Sequence, residues 1–202
     1  MMKHRILLLA IGLLLTGALR AEEAFTFKGG AEKWGGERIS LPTGFAPDMK
    51  VKGIEEIRFA PGMFKPDADD FFSYVFVFAC PEDTWTEAVI RREILTYYRG
   101  LSKSVSRGKV TEAKAGAFTF KLEATKVEDM PADAEASRAY AGVLQWIEPF
   151  KTLEPQTLHM EIATWKRAGV KRHYLFAGVS PRERAHALWK DLRKIRSSLV
   201  VK

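Results

Sequence analysis

Side chains able to transfer protons, bind metals or attack a substrate are few and scattered along this 202-residue chain. After His4, histidine recurs only at 159, 173 and 186. His159 and Glu161 are two residues apart in Leu158–Trp165, whose composition reads as a strand, so both leave one face. An imidazole beside a carboxylate can shuttle protons, which makes an envelope hydrolase using His159 and Glu161 one reading. That reading requires the two groups to be within hydrogen-bond reach in a cleft. For metal, the spacing is unfavourable. A hairpin turning near residues 168–169 sets Thr164 against His173 and Ala163 against Tyr174, with His159 near Gly178. At about 3.3 Å of rise per residue the two imidazoles cannot share an ion, so no metal site is expected.

The other candidates have plainer readings. Ser180 has no nucleophile-elbow motif around it, and with Pro181 and Glu183 it has the spacing of a helix cap. Asp67, Asp69 and Asp70 lack the rest of a calcium-loop pattern and read as a solvated acidic loop. No glycine-rich loop has phosphate-binding spacing, so no cofactor is expected. Cys80 closes an apolar run and reads as a small core residue; as the single cysteine it cannot form an internal disulfide.

Two surfaces remain as binding candidates. With the register above and a turn near Thr152-Leu153, one sheet face gathers Tyr140, Leu144, Trp146, His159, Glu161, Trp165, Tyr174 and Phe176. Such a face pairs aromatic area with polar handles and suits a ligand. Tyr140, Trp146, His159, Glu161, Trp165 and Tyr174 are the candidate ligand residues, although a broadly apolar first helix is expected to cover this face. The opposite face, with Val143, Ile147, Leu158, Met160, Ile162, Leu175 and Val179, is core. The second surface is basic. From Ile162 to Lys202 eleven Lys and Arg stand against Glu183 and Asp191, and Arg184, Lys190, Arg193 and Lys194 could meet an anionic surface. The plainer reading is a solvated helix face. Nucleic acid is not expected, because no aromatic binding motif interleaves with the charge.

The elements that must position these residues follow from periodicity. Glu37–Leu41, Gly53–Ala60 and Phe71–Ala79 read as strands, the last apolar on both faces and therefore central. Thr84 and Glu87 have capping-box spacing for a helix that presents Ile90, Ile94, Tyr97 and Tyr98 and stops near Gly100. Four strands follow: 118–125, Tyr140–Ile147, Leu158–Trp165 and His173–Val179. A final amphipathic helix, capped by Ser180, carries Ala185, Leu188, Trp189, Leu192, Ile195 and Leu199 at helical spacing.

Residues 1–21 read as a signal peptide: Lys3, His4 and Arg5, then the uncharged apolar run Ile6–Leu15, then small residues. Cleavage is expected after Ala21, with Ala18 the second choice. The run is shorter than the roughly 20 residues a spanning helix needs. Losing Lys3, Arg5 and Arg20 lowers the formal charge from +7 to +4, that is 29 basic against 25 acidic side chains. Residues 22–202 are expected to be a single α+β domain, secreted or periplasmic, with no transmembrane segment after cleavage.

The element order, the Leu41-Pro-x-Gly-Phe45 turn, the hairpin around Gly169 and the closing Ile195-Arg-Ser-Ser-Leu199 helix end together resemble exported bacterial proteins of the PsbP-like fold. That resemblance implies an antiparallel sheet of about six to seven strands with one helix on each face, and a non-catalytic role. The expected function is an exported binding or accessory protein of the cell envelope, its partner an envelope protein or a small ligand.

Overall fold

The computed structural model describes residues 25–201, and the signal-peptide segment lies outside them. Strands β1 (Phe25–Thr26), β2 (Gly35–Leu41), β3 (Gly53–Phe59) and β4 (Tyr74–Pro81) precede helices α1 (Glu87–Val105) and α2 (Glu112–Gly116). Then come β5 (Thr119–Thr125), β6 (Glu135–Ile147), β7 (Pro155–Arg167), β8 (Val170–Ser180), α3 (Leu188–Ser197) and β9 (Val200–Val201). Seven strands form one antiparallel sheet in the order β2-β3-β4-β8-β7-β6-β5, and β1 pairs with β9. The α+β architecture with helices on both faces is as expected. No helix among the described residues is long and apolar enough to cross a membrane.

β4 is central, as its doubly apolar pattern requires. Tyr74, Phe76, Phe78 and Cys80 face α1, while Val75, Val77 and Ala79 face α3. Cys80 is buried. The larger core lies under α1 and the smaller one under α3, where Trp189, Leu192, Ile195 and Leu199 dock beside Trp165 and Phe176. Leu192 is 1% exposed and a β-carbon on Gly178 would touch it at 3.4 Å. Leu192→Ala is expected to cost about 2–5 kcal/mol, read as a lower denaturant midpoint at unchanged slope.

Both helix boundaries differ from expectation. α1 is capped by Thr86, whose hydroxyl accepts the Val89 N–H at 3.3 Å, while Thr84 turns back to the Pro81 carbonyl. The intervening Trp85 is drawn into the core, its backbone N–H donated to His173 Nδ1 and its indole to the His173 carbonyl, both at 3.0 Å. α1 also runs through Gly100, which is no stop. It is a close approach: a β-carbon there would lie 2.3 Å from the Phe45 carbonyl oxygen. The β2–β3 loop packs against this point, and the buried Glu93 accepts the Lys50 N–H at 2.9 Å.

Ser180 does not cap the last helix. It is the final residue of β8, opposite His159, with its hydroxyl 2.8 Å from that of Ser73. Residues 181–187 lead from the end of β8, in the middle of the sheet, to α3, which begins only at Leu188. His186 accepts the Leu188 N–H with Nδ1, and Ala185 is exposed.

Register supplies the third correction. The β6–β7 connection closes as Ile147↔Pro155 and Leu144↔Leu158, so it is not centred on Thr152-Leu153. Buried Glu148 organises it, accepting the backbone N–H of Phe150 at 2.6 Å, Lys151 at 2.9 Å and Thr152 at 2.6 Å. The odd-numbered slip turns β6 over relative to β7, because side chains alternate at period two. The β7–β8 hairpin turns at Ala168-Gly169 as expected, but two extra residues shift its pairing to Trp165↔Tyr174 and Thr164↔Leu175. An even slip preserves the faces.

Candidate functional site

The inverted register separates the six expected ligand residues. Tyr140 and Trp146 lie under α1, Trp146 donating its indole N–H to Gln156 at 3.0 Å and meeting Tyr98 edge-on at 5.1 Å. His159, Glu161, Trp165 and Tyr174 occupy the α3 face. The expected cover was the first helix; α1 covers the β6 part and α3 covers Trp165 and Tyr174.

His159 and Glu161 have separate partners. His159 Nε2 is 3.2 Å from Glu183 Oε1, and Nδ1 is buried without a hydrogen bond among the described residues. Burial lowers the His159 pKa below its ordinary value, Arg184 adding to the effect and Glu183 opposing it. Glu161 receives both the Nε (3.0 Å) and Nη2 (2.5 Å) of Arg193, with Arg196 Nη1 at 3.5 Å. The pair needed for proton transfer is thus held by different groups.

The expected basic residues divide as well. Arg184 Nη2 donates to the Gly142 carbonyl at 2.6 Å, and Arg193 is committed to Glu161. Lys190 and Lys194 are exposed on α3.

The other end of the α3 face holds a cleft. Where β6 begins, its pairing with β7 shifts: Glu135 opposes Lys166 and Arg138 opposes Thr164, so Ala136 and Ser137 together span Trp165. Ala136 sits at φ 48°, a left-handed conformation uncommon for alanine. Bulges of this kind re-aim side chains and concentrate beside functional sites. Next to it opens a cleft of about 230 Å³ lined by Ala132, Asp133, Ala134, Glu135, Arg167 and Ala168. Arg167 Nε donates to Asp133 Oδ2 at 2.6 Å, and its side chain also bonds that of Tyr174. Tyr174 stacks on Trp165 at 5.3 Å and 25°. The Trp165 indole N–H is fully buried and has no hydrogen-bond partner among the described residues, an arrangement that costs about 1–3 kcal/mol.

Chemically, the cleft offers a cation and two carboxylates against short alanine side chains. Two of its neighbours, Trp165 and Tyr174, were singled out in the sequence; Arg167 and Asp133 were not. Arg167 reads locally as turn decoration, and only the hairpin brings the acidic 128–135 segment against it.

No protein-family model matches this chain, and no curated protein does. Among solved structures it is similar to LpqN, involved in cell envelope biogenesis of Mycobacterium tuberculosis, at 10% identity and a TM-score of 0.31. The match covers 89% of this chain and 91% of that one. A TM-score that low carries no argument, and the PsbP-like resemblance remains one of element order.

Proposed function

We propose that this chain is a non-catalytic, exported binding or accessory protein of the cell envelope that holds a small polar ligand in the cleft between residues 132–135 and 167–168. One observation carries the reading: a charged Arg167–Asp133 pair walls a cleft beside a sheet bulge, with Arg167 also bonded to the buried Tyr174. Concave sites with a few convergent polar groups are where ligands bind. The signal-like start supports export, and the exposed Lys190 and Lys194 leave room for a further contact with an anionic partner.

The test is retention. Purified protein is incubated with an extract of envelope small molecules, washed, and the released compounds are identified by mass spectrometry. Wild-type protein is expected to retain a compound that Arg167→Ala releases, with both proteins equally folded by circular dichroism. Equal retention by the two, or retention of nothing, removes the cleft as the site.

A further inference from the structure

We propose that the cleft selects a small zwitterion, a molecule with an anionic and a cationic group a few atoms apart, as in a free amino acid. This rests on reading the cleft as a binding site and specifies what it binds. Both signs of charge are present on its walls. Arg167 comes from the β7–β8 hairpin, and Asp133 and Glu135 come from the segment entering β6. Lys166, opposite Glu135 in the ladder, is drawn away to Asp83 and Glu82. Glu135 forms no ion pair among the described residues and is exposed.

The Arg167–Asp133 pair closes the cleft electrostatically. Its side chains are 22% and 47% exposed, and so accessible a pair adds little stability. A ligand can therefore open it at small cost. A simple anion on Arg167 would leave Asp133 unpaired beside Glu135, two like charges on one wall. A simple cation on the carboxylates would leave Arg167 unpaired. A zwitterion pairs all of them, its carboxylate on the guanidinium and its ammonium between Asp133 and Glu135. Discrimination then comes from the number of charge-assisted pairings a ligand gains, two for a zwitterion and one for a simple ion.

Size points the same way. A cleft of about 230 Å³ falls below the roughly 300–1,000 Å³ of pockets that take drug-sized ligands, which suits a smaller molecule. Ala132, Ala134 and Ala168 contribute only methyl groups, so short aliphatic side chains fit against the walls.

The experiment is a ¹H–¹⁵N NMR titration of the purified protein with alanine and leucine. The comparison probes are their N-acetyl derivatives, which are anions only, and their carboxamides, which are cations only. Saturable shifts at millimolar or lower concentration are expected at residues 132–135 and 167–168 for the free amino acids. The blocked forms should bind about tenfold more weakly or worse, the loss of one charge-assisted pairing. Arg167→Gln and Asp133→Asn should each weaken the free amino acids while leaving the rest of the spectrum in place. If an N-acetyl derivative binds as tightly as its parent, the zwitterion inference falls and the cleft survives as a binding site. If no probe binds, the inference also falls. The envelope-retention result then decides separately whether the cleft binds anything.

Discussion

Glu161→Ala is expected to destabilise the protein by about 3–5 kcal/mol, the loss typical of removing one partner from a buried ion pair. The carboxylate is 17% exposed and joins α3 to the sheet through Arg193 and Arg196. Arg196 is the reason the effect is large. Its side chain is 7% exposed, with Nε on the Asp129 carbonyl at 3.1 Å and Nη2 on the Glu128 carbonyl at 3.1 Å. Burial lowers the Arg196 pKa below the ordinary guanidinium value, while Glu161 and Asp129 oppose this. Taking away Glu161 leaves that cation with only carbonyls and the more distant Asp129 carboxylate, at 3.8 Å. Arg193→Ala should cost less, because its side chain is 34% exposed and water can screen what remains. Urea unfolding followed by circular dichroism measures both. A loss below about 1 kcal/mol for Glu161→Ala would show an interaction no stronger than an exposed pair.

The second large effect depends on pH. Glu55 is fully buried on β3, where Oε1 accepts the Tyr97 hydroxyl at 3.0 Å and Oε2 has no partner among the described residues. The groups facing it are Tyr97 and Tyr98 from α1, Tyr74 from β4 and Glu37 from β2. None is a cation. Desolvation raises its pKa from 4.5 to about 8, with the Tyr97 hydrogen bond opposing and Glu37 reinforcing. Burial likewise keeps Tyr74, Tyr97 and Tyr98 neutral, and the Tyr74 and Tyr98 hydroxyls bond each other.

The sign follows from proton linkage. The folded carboxyl holds its proton to about pH 8, whereas the unfolded one loses it near 4.5. The contribution is therefore fully present below pH 4.5 and is lost as pH rises to about 8, at most about 5 kcal/mol across the window. Other groups titrate in the same range, so the informative quantity is the difference between wild type and Glu55→Gln, whose amide stays neutral. The variant should gain on wild type steadily from pH 5 to pH 8.5 in urea midpoints. Parallel curves for the two proteins would mean that Glu55 is ionised in the folded state throughout.

Glu55 also shows how much of such a site was legible beforehand. The alternation in Gly53–Phe59 places Glu55 on the face of Ile57 and Phe59, so a carboxylate pointing into the core could have been read from spacing. Its hydrogen-bond partner Tyr97 could not, because it arrives from a helix some forty residues later. The same holds at the cleft, where Trp165 and Tyr174 stand out as aromatic residues in a strand pair while Arg167 and Asp133 look like ordinary surface charges.

Local periodicity was sufficient for the class of fold. A strand apolar on both faces has to be central, an alternating one has to face water on one side, and the Trp189–Leu199 stripe has to dock. Those patterns are properties of neighbouring residues, and β4, β5 and α3 carry them as expected. Element ends and strand registers were decided by contacts between distant segments. Ser180 had every local feature of a cap, yet pairing with His159 and bonding to Ser73 kept it in β8. Gly100 had the look of a stop, yet the loop at Phe45 uses its bare backbone as a seat. A connection closed at Ile147 and Pro155 by the Glu148 carboxylate turned β6 over and moved Tyr140 and Trp146 to the other side of the sheet. Chain-local signals determine which face of an element is apolar; which neighbour that face meets is set by the pairing of strands, where a slip of an odd number of residues reverses every side chain.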